Sequence, residues 1–155
     1  MAGVEIQVET ARMNMGPTGF IVYASDFLDA YKKFETDKAF SPAKYYLACR
    51  AVELSLKAFL SLSGVSFNVI KNKLQHDLDK ILRKSKELGI DSIVPITENE
   101  KIEIVKANGW YSRKGFEYFA IQNMVESKDS LPNINVISNL AEKLISVLEP
   151  KCFAS

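Results

Sequence analysis

The sequence predicts an all-α fold, an antiparallel bundle of about five helices, on three observations. Apolar residues recur at steps of three and four along most of the chain, the spacing that gathers them on one helix face. Helix-start residues (Ser41-Pro42, Thr97 with Glu100) and helix-stop glycines (Gly64, Gly89) punctuate these runs. The connections between them are short, as in bundles. With 155 residues, 47% of them apolar, the chain fits one domain with a full core.

Residues Met1 to Pro17 carry no clean helical stripe. Val4, Ile6 and Val8 alternate with Glu5, Gln7 and Glu9, a pattern that fits a short edge strand and equally a mobile arm. A first helix is expected from about Thr18 to Lys38, where Phe20, Ala24, Phe27, Tyr31 and Phe34 share a face. Ser41 as N-cap and Pro42 in the first turn open a second helix. It is apolar on so much of its surface (Leu47, Ala48, Ala51, Val52, Leu54, Ala58, Phe59, Leu62) that it belongs at the centre of the bundle.

Val65 to Gln75 reads as a connection. A third helix follows, with Leu78, Ile81, Leu82, Ser85 and Leu88 inward, Asp77 and Asp79 in its first turn and Gly89 at its end. Thr97 and Glu100 form a capping box for a short helix ending near Asn108-Gly109. The aromatic run from Trp110 to Met124 fits a loop and helix or an extended segment. A last helix runs from Asn133 to Leu148 until Pro150 breaks the pattern. The expected organisation is an arm (1–17), one helical domain (18–150) and a tail (151–155).

Twenty Lys and Arg against nineteen Asp and Glu give a net charge of +1, so no global field draws in nucleic acid. Cys49 reads as a small core residue, and Cys152 lies in the tail, too distant to suggest a disulfide framework. With two cysteines and one histidine, no metal site is expected, and no cofactor motif is present. No apolar run reaches the roughly 18 residues of a membrane span, and no signal peptide is visible. The expected location is cytoplasmic, with no membrane partner.

The run from Ala51 to Leu60, with Glu53, Leu56-Lys57-Ala58 and a closing Gly64, is followed by His76-Asp77-Leu78 and then Ile81-Leu82. This order resembles the HEPN family of helical domains, over about Phe20 to Leu88. The resemblance implies a homodimer, and a partner of nucleotidyltransferase type or a toxin–antitoxin or defence setting. It also implies RNA or a nucleotide as ligand. Catalytic members are metal-independent ribonucleases that use an Arg followed a few residues later by a His. Here the matching Arg is Arg113, but Tyr118 occupies the place of the His. A phenol with an ordinary pKa of about 10 is a weak base near neutrality. The only histidine, His76, lies well upstream. The resemblance therefore implies a non-catalytic binding or assembly module. The alternatives are a ribonuclease built on Arg113 with Tyr118 or His76, and a nucleotide or small-molecule binder.

Three further groups are candidates. Arg50, Glu53 and Lys57 share one face of the second helix and fit either a polar groove or a solvated ion-paired stripe. His76 and Asp77 fit either a functional pair, with Asp77 orienting the imidazole, or a helix cap. Trp110, Tyr111, Arg113, Lys114, Phe116, Tyr118 and Phe119 interleave rings and cations, as surfaces that stack bases do and as core-covering segments also do. Together they give the candidate ligand set Arg50, Glu53, Lys57, Tyr111, Arg113 and Lys114.

Overall fold

Ser41 places its hydroxyl oxygen under the backbone N–H of Lys44, and Pro42 opens the first turn, so the longest helix starts where its capping residues stand. This helix, α2 (Pro42–Leu62), is the axis of an all-α bundle in the computed structural model, which describes residues 16–117 and 130–155. The other α-helices among the described residues are α1 (Pro17–Lys33), α3 (Phe67–Val69), α4 (Leu78–Glu87), α5 (Glu98–Tyr111) and α6 (Ile134–Phe153). α2 packs against α1, α4 and α6. From Ala48 to Leu60 every residue except Arg50 is buried, so α2 is enclosed on all sides. Among the described residues no helix is long and apolar enough to cross a membrane.

The described residues alone hold six α-helices, against about five expected for the chain, because the Val65–Gln75 connection carries a helix of its own. The Ser66 hydroxyl caps α3, which runs directly into a π-helical turn over Ile70–Leu74. Buried Ile70 and Leu74 pin that turn to the core. α1 ends five residues earlier than its stripe predicts. Phe34 is extended, and Thr36 accepts a hydrogen bond from the Lys38 backbone, a local bond that competes with the helix. Phe34 therefore leaves the buried face, which consists of Phe20, Ile21, Ala24 and Leu28.

α6 runs past Pro150 to Phe153, where the sequence pattern places a tail. Pro150 lacks the N–H of one helical bond. Two tertiary anchors offset that loss: Cys152 is fully buried, and its carbonyl accepts the Thr18 hydroxyl of α1 at 3.1 Å. α5 starts at the Thr97–Glu100 capping box and extends to Tyr111, beyond Asn108-Gly109. The N-terminal strand-or-arm pattern falls almost wholly on residues 1–15, outside the described residues, as does 118–129 of the aromatic segment.

The described part of that segment folds back on the core. Gly115 donates its N–H to the Trp110 carbonyl at 2.6 Å, and a Cβ on Gly115 would meet that oxygen at 2.9 Å, so glycine is required there. The tight turn stacks Phe116 on Trp110 (5.8 Å between ring centres) and on Tyr45 (5.1 Å).

Leu56 is fully buried at the middle of α2. Leu56→Ala is expected to destabilise the fold by about 2–5 kcal/mol, the usual cost of such a cavity, read as a lower urea midpoint with an unchanged slope.

Candidate functional site

The polar stripe of α2 begins with Arg50, Glu53 and Lys57 on successive turns. A solvated face would leave Glu53 in water, but its side chain is 0% exposed. Its two oxygens collect four partners. Oε2 accepts from Arg50 at 2.7 Å and from Lys57 at 2.9 Å. Oε1 accepts the Tyr111 hydroxyl at 2.6 Å and lies 2.9 Å from His76 Nδ1. Three parts of the chain thus converge on one carboxylate: α2 itself, α5 through Tyr111, and the connection between the π turn and α4 that carries His76.

Burial by itself raises the Glu53 pKa. The bond to His76, the Lys57 and Arg50 charges and the Tyr111 hydroxyl outweigh it and hold the group at about 2. Glu53 is therefore an anion at any ordinary pH. Burial, the Glu53 charge and the hydrogen bond to Glu53 push the Tyr111 pKa up, so its hydroxyl stays a donor. Burial disfavours the Arg50 cation, but Glu53 and Tyr111 overcome this and raise its pKa.

His76 is placed by a stretch of backbone fixed at both ends. On one side, the π turn closes with the Gln75 N–H donating to the Ile70 carbonyl at 3.1 Å. Gln75 then takes φ +49 and ψ −121, a conformation that side-chain-bearing residues rarely adopt. On the other side, Asn108 of α5 clamps the start of α4. Its Oδ1 accepts from the Leu78 N–H at 2.8 Å, and its Nδ2 donates to Asp77 at 3.0 Å. Asp77 also caps α4 by accepting from Lys80. Asp77 is thus the helix cap, and the group that orients the imidazole is Glu53, a pairing remote in sequence.

The ring nitrogen facing Glu53 also lies 3.2 Å from Arg50. A guanidinium only donates and a carboxylate only accepts, so Nδ1 of a neutral ring serves one of them. The shorter contact, to an obligate anion, puts the proton on Nδ1. Nε2 then carries the free lone pair. No other hydrogen bond to the ring is formed among the described residues, and the His76 side chain is 59% exposed.

Beside this cluster lies an open cleft of about 440 Å³, lined by Arg50, Leu54 and Lys57 of α2, Phe20 of α1, and Phe67, Ile70, Lys71, Gln75 and His76. Phe20 and Phe67 form a ring pair at 6.5 Å. Lys71 has no ion-pair partner among the described residues. Three permanent cations meet one carboxylate, so the cleft is net positive.

Of the candidate ligand residues, Arg50, Glu53, Lys57 and Tyr111 come together here, and His76 joins them. Arg113 and Lys114 do not line the cleft. They are exposed in the turn after α5, and Arg113 folds back to donate to the Gly109 carbonyl. The rings of Trp110, Tyr111 and Phe116 are buried in the core, so they do not form a base-stacking surface. Tyr118 lies outside the described residues. Lys71 and Phe67 were missed by sequence reasoning because they sit in what reads as a plain connection. Among the described residues no group of three His, Cys, Asp or Glu is placed to hold a metal ion. Comparison with family models, curated proteins and solved structures finds no match.

A group whose pKa is lowered by folding contributes stability that is complete above its unfolded value. That contribution is lost as pH falls toward the folded value. For Glu53 the window runs from its ordinary 4.5 down to about 2. Wild-type stability is expected to fall steeply across that range, and Glu53→Gln to flatten the fall, read by urea titrations at several pH values. Glu53→Ala strands Arg50 and Lys57 and is expected to cost about 3–5 kcal/mol, the range for breaking a buried pair.

Proposed function

We propose that this chain is a HEPN-like binding module whose working site is the cleft between α2 and the π turn. It takes an anionic ligand carrying a flat ring, of nucleotide type. The observation that carries this reading is the surplus of cations over an aromatic and apolar floor. Arg50 and Lys57 are anchored on Glu53, so their charges are held in place before any ligand arrives. Lys71 adds an exposed cation at the rim, and Phe67, 39% exposed, offers a face for a ring. The resemblance to HEPN supports the same ligand class. It adds self-association and a partner of nucleotidyltransferase type to the proposal.

Metal-independent RNA cleavage is the second reading, and one observation favours it: His76, whose Nε2 makes no hydrogen bond among the described residues, lines a cationic cleft and is suited to proton transfer. In that case His76, not Arg113, would carry the chemistry. Cleavage of RNA in the presence of a chelator, abolished by His76→Gln and untouched by Arg113→Ala, would establish it.

For the leading reading, calorimetric titration with AMP and ATP is expected to show binding that weakens as salt rises. Phe67→Ala is expected to weaken binding by roughly fivefold to a hundredfold, the loss of one stacked ring at about 1–3 kcal/mol. Lys71→Ala is expected to weaken ATP more than AMP. Absence of binding by the folded protein, or affinity indifferent to both substitutions, would contradict the reading.

A further inference from the structure

The arrangement around His76 goes beyond what holding a ligand requires. A binding histidine needs only a donor or a charge. This ring has one nitrogen fixed against a buried carboxylate, while the other makes no hydrogen bond among the described residues, and the half-exposed side chain lines a cationic cleft. The carboxylate is itself fixed by Arg50, Lys57 and Tyr111, so the ring has a rigid backstop. The Asn108 clamp and the buried Ile70 and Leu74 hold the backbone on both sides of it. A carboxylate partner makes the imidazole more electron-rich and stabilises the positive charge that develops when Nε2 forms a bond.

We infer that His76 is a phosphoryl acceptor: Nε2 takes a phosphoryl group from an acyl phosphate or phosphoramidate, and Lys71 of the cleft neutralises its oxygens. The inference rests on the cleft being an anion site, as the proposed function has it, but not on the ligand being a nucleotide. In the transfer, the Nε2 lone pair forms an N–P bond. The P–O bond of the acyl phosphate, or the P–N bond of the phosphoramidate, breaks with its electron pair leaving on the carboxylate or amine. With phosphoramidate, the departing nitrogen takes a proton from solvent and leaves as ammonia. The ring keeps its Nδ1 proton, and the charge it acquires lies against the Glu53 anion. No oxidant or reductant takes part.

The cations divide the work by their existing partners. Arg50 and Lys57 are each bonded to Glu53 and offset the buried carboxylate. Lys71, with no ion-pair partner among the described residues, remains to neutralise the incoming phosphoryl oxygens.

The chain has one histidine, so the test is free of competing sites. The full chain is incubated with potassium phosphoramidate in mildly alkaline buffer. Intact mass reads the addition, and phosphorus NMR tells Nε2 from Nδ1 phosphohistidine. The expected result is one phosphoryl group per chain, on Nε2, acid-labile and absent from His76→Gln. Transfer to the folded chain is expected to run about tenfold or more faster than to the same chain in denaturant, a barrier difference of about 1.4 kcal/mol. Lys71→Ala is expected to slow it several-fold without shifting the site.

No faster transfer to the folded chain than to the denatured one would overturn the inference. So would phosphorylation on Nδ1, or equal labelling of His76→Gln. Transfer to Nε2 by a chain that binds no AMP or ATP would sink the nucleotide reading and leave this one standing. Nucleotide binding without transfer would do the reverse.

Discussion

Everything distinctive in this molecule depends on one ionised carboxylate with no access to water. Glu53 stands on the most enclosed helix of the bundle, where an unpaired charge would be prohibitive. It is tolerated because two cations, a phenol and an imidazole fill its coordination. That requirement ties distant parts of the chain to one point. Tyr111 must come in from α5, and His76 must come in from the far end of the π turn. Such a cluster contributes little net stability compared with an apolar core of the same shape, but losing any one member leaves the others stranded. Its value lies in specifying a single arrangement, and the arrangement it specifies is the edge of a cleft.

The strain around that edge follows from the same constraint. A regular helix through Ile70–Leu74 would place His76 elsewhere on the helix surface. One wider turn, and a Gln75 backbone in a region that side chains avoid, re-aim the chain by a residue. Conformations of this kind cost about 1–3 kcal/mol each and persist where surrounding contacts impose them. Here those contacts are the buried side chains of the π turn on one side and the Asn108 clamp on the other.

How much of this was legible in the sequence depended on how local the cause was. The central helix and its N-cap, the Asp77 cap and the Thr97 capping box all follow from neighbours within four residues, and the structure has each of them. The polar stripe of Arg50, Glu53 and Lys57 was visible as a spacing. Its burial was not, because burial depends on which helices cover that face. The His76–Glu53 pairing spans 23 positions, and the adjacent Asp77 was the more obvious partner from sequence alone. The helical nature of Val65–Gln75 was hidden because its α-helix is a single short turn and the π turn that follows departs from the 3.6-residue period. The continuation of α6 past Pro150 depends on Cys152 meeting α1, a contact that no local pattern encodes. The interleaved rings and cations after Trp110 read as a binding surface by composition, while the tight turn at Gly115 directs the described rings inward.

Glu53 fixes the tautomer of His76 through Nδ1, which leaves Nε2 with the free lone pair. Nitrogen NMR of the ring tests it directly, since the single histidine gives a single pair of ring signals. In the neutral ring a protonated Nδ1 and an unprotonated Nε2 are expected, with that preference weakened in Glu53→Gln. A ring protonated on Nε2, or one exchanging freely between the two forms as in an unstructured peptide, would contradict it.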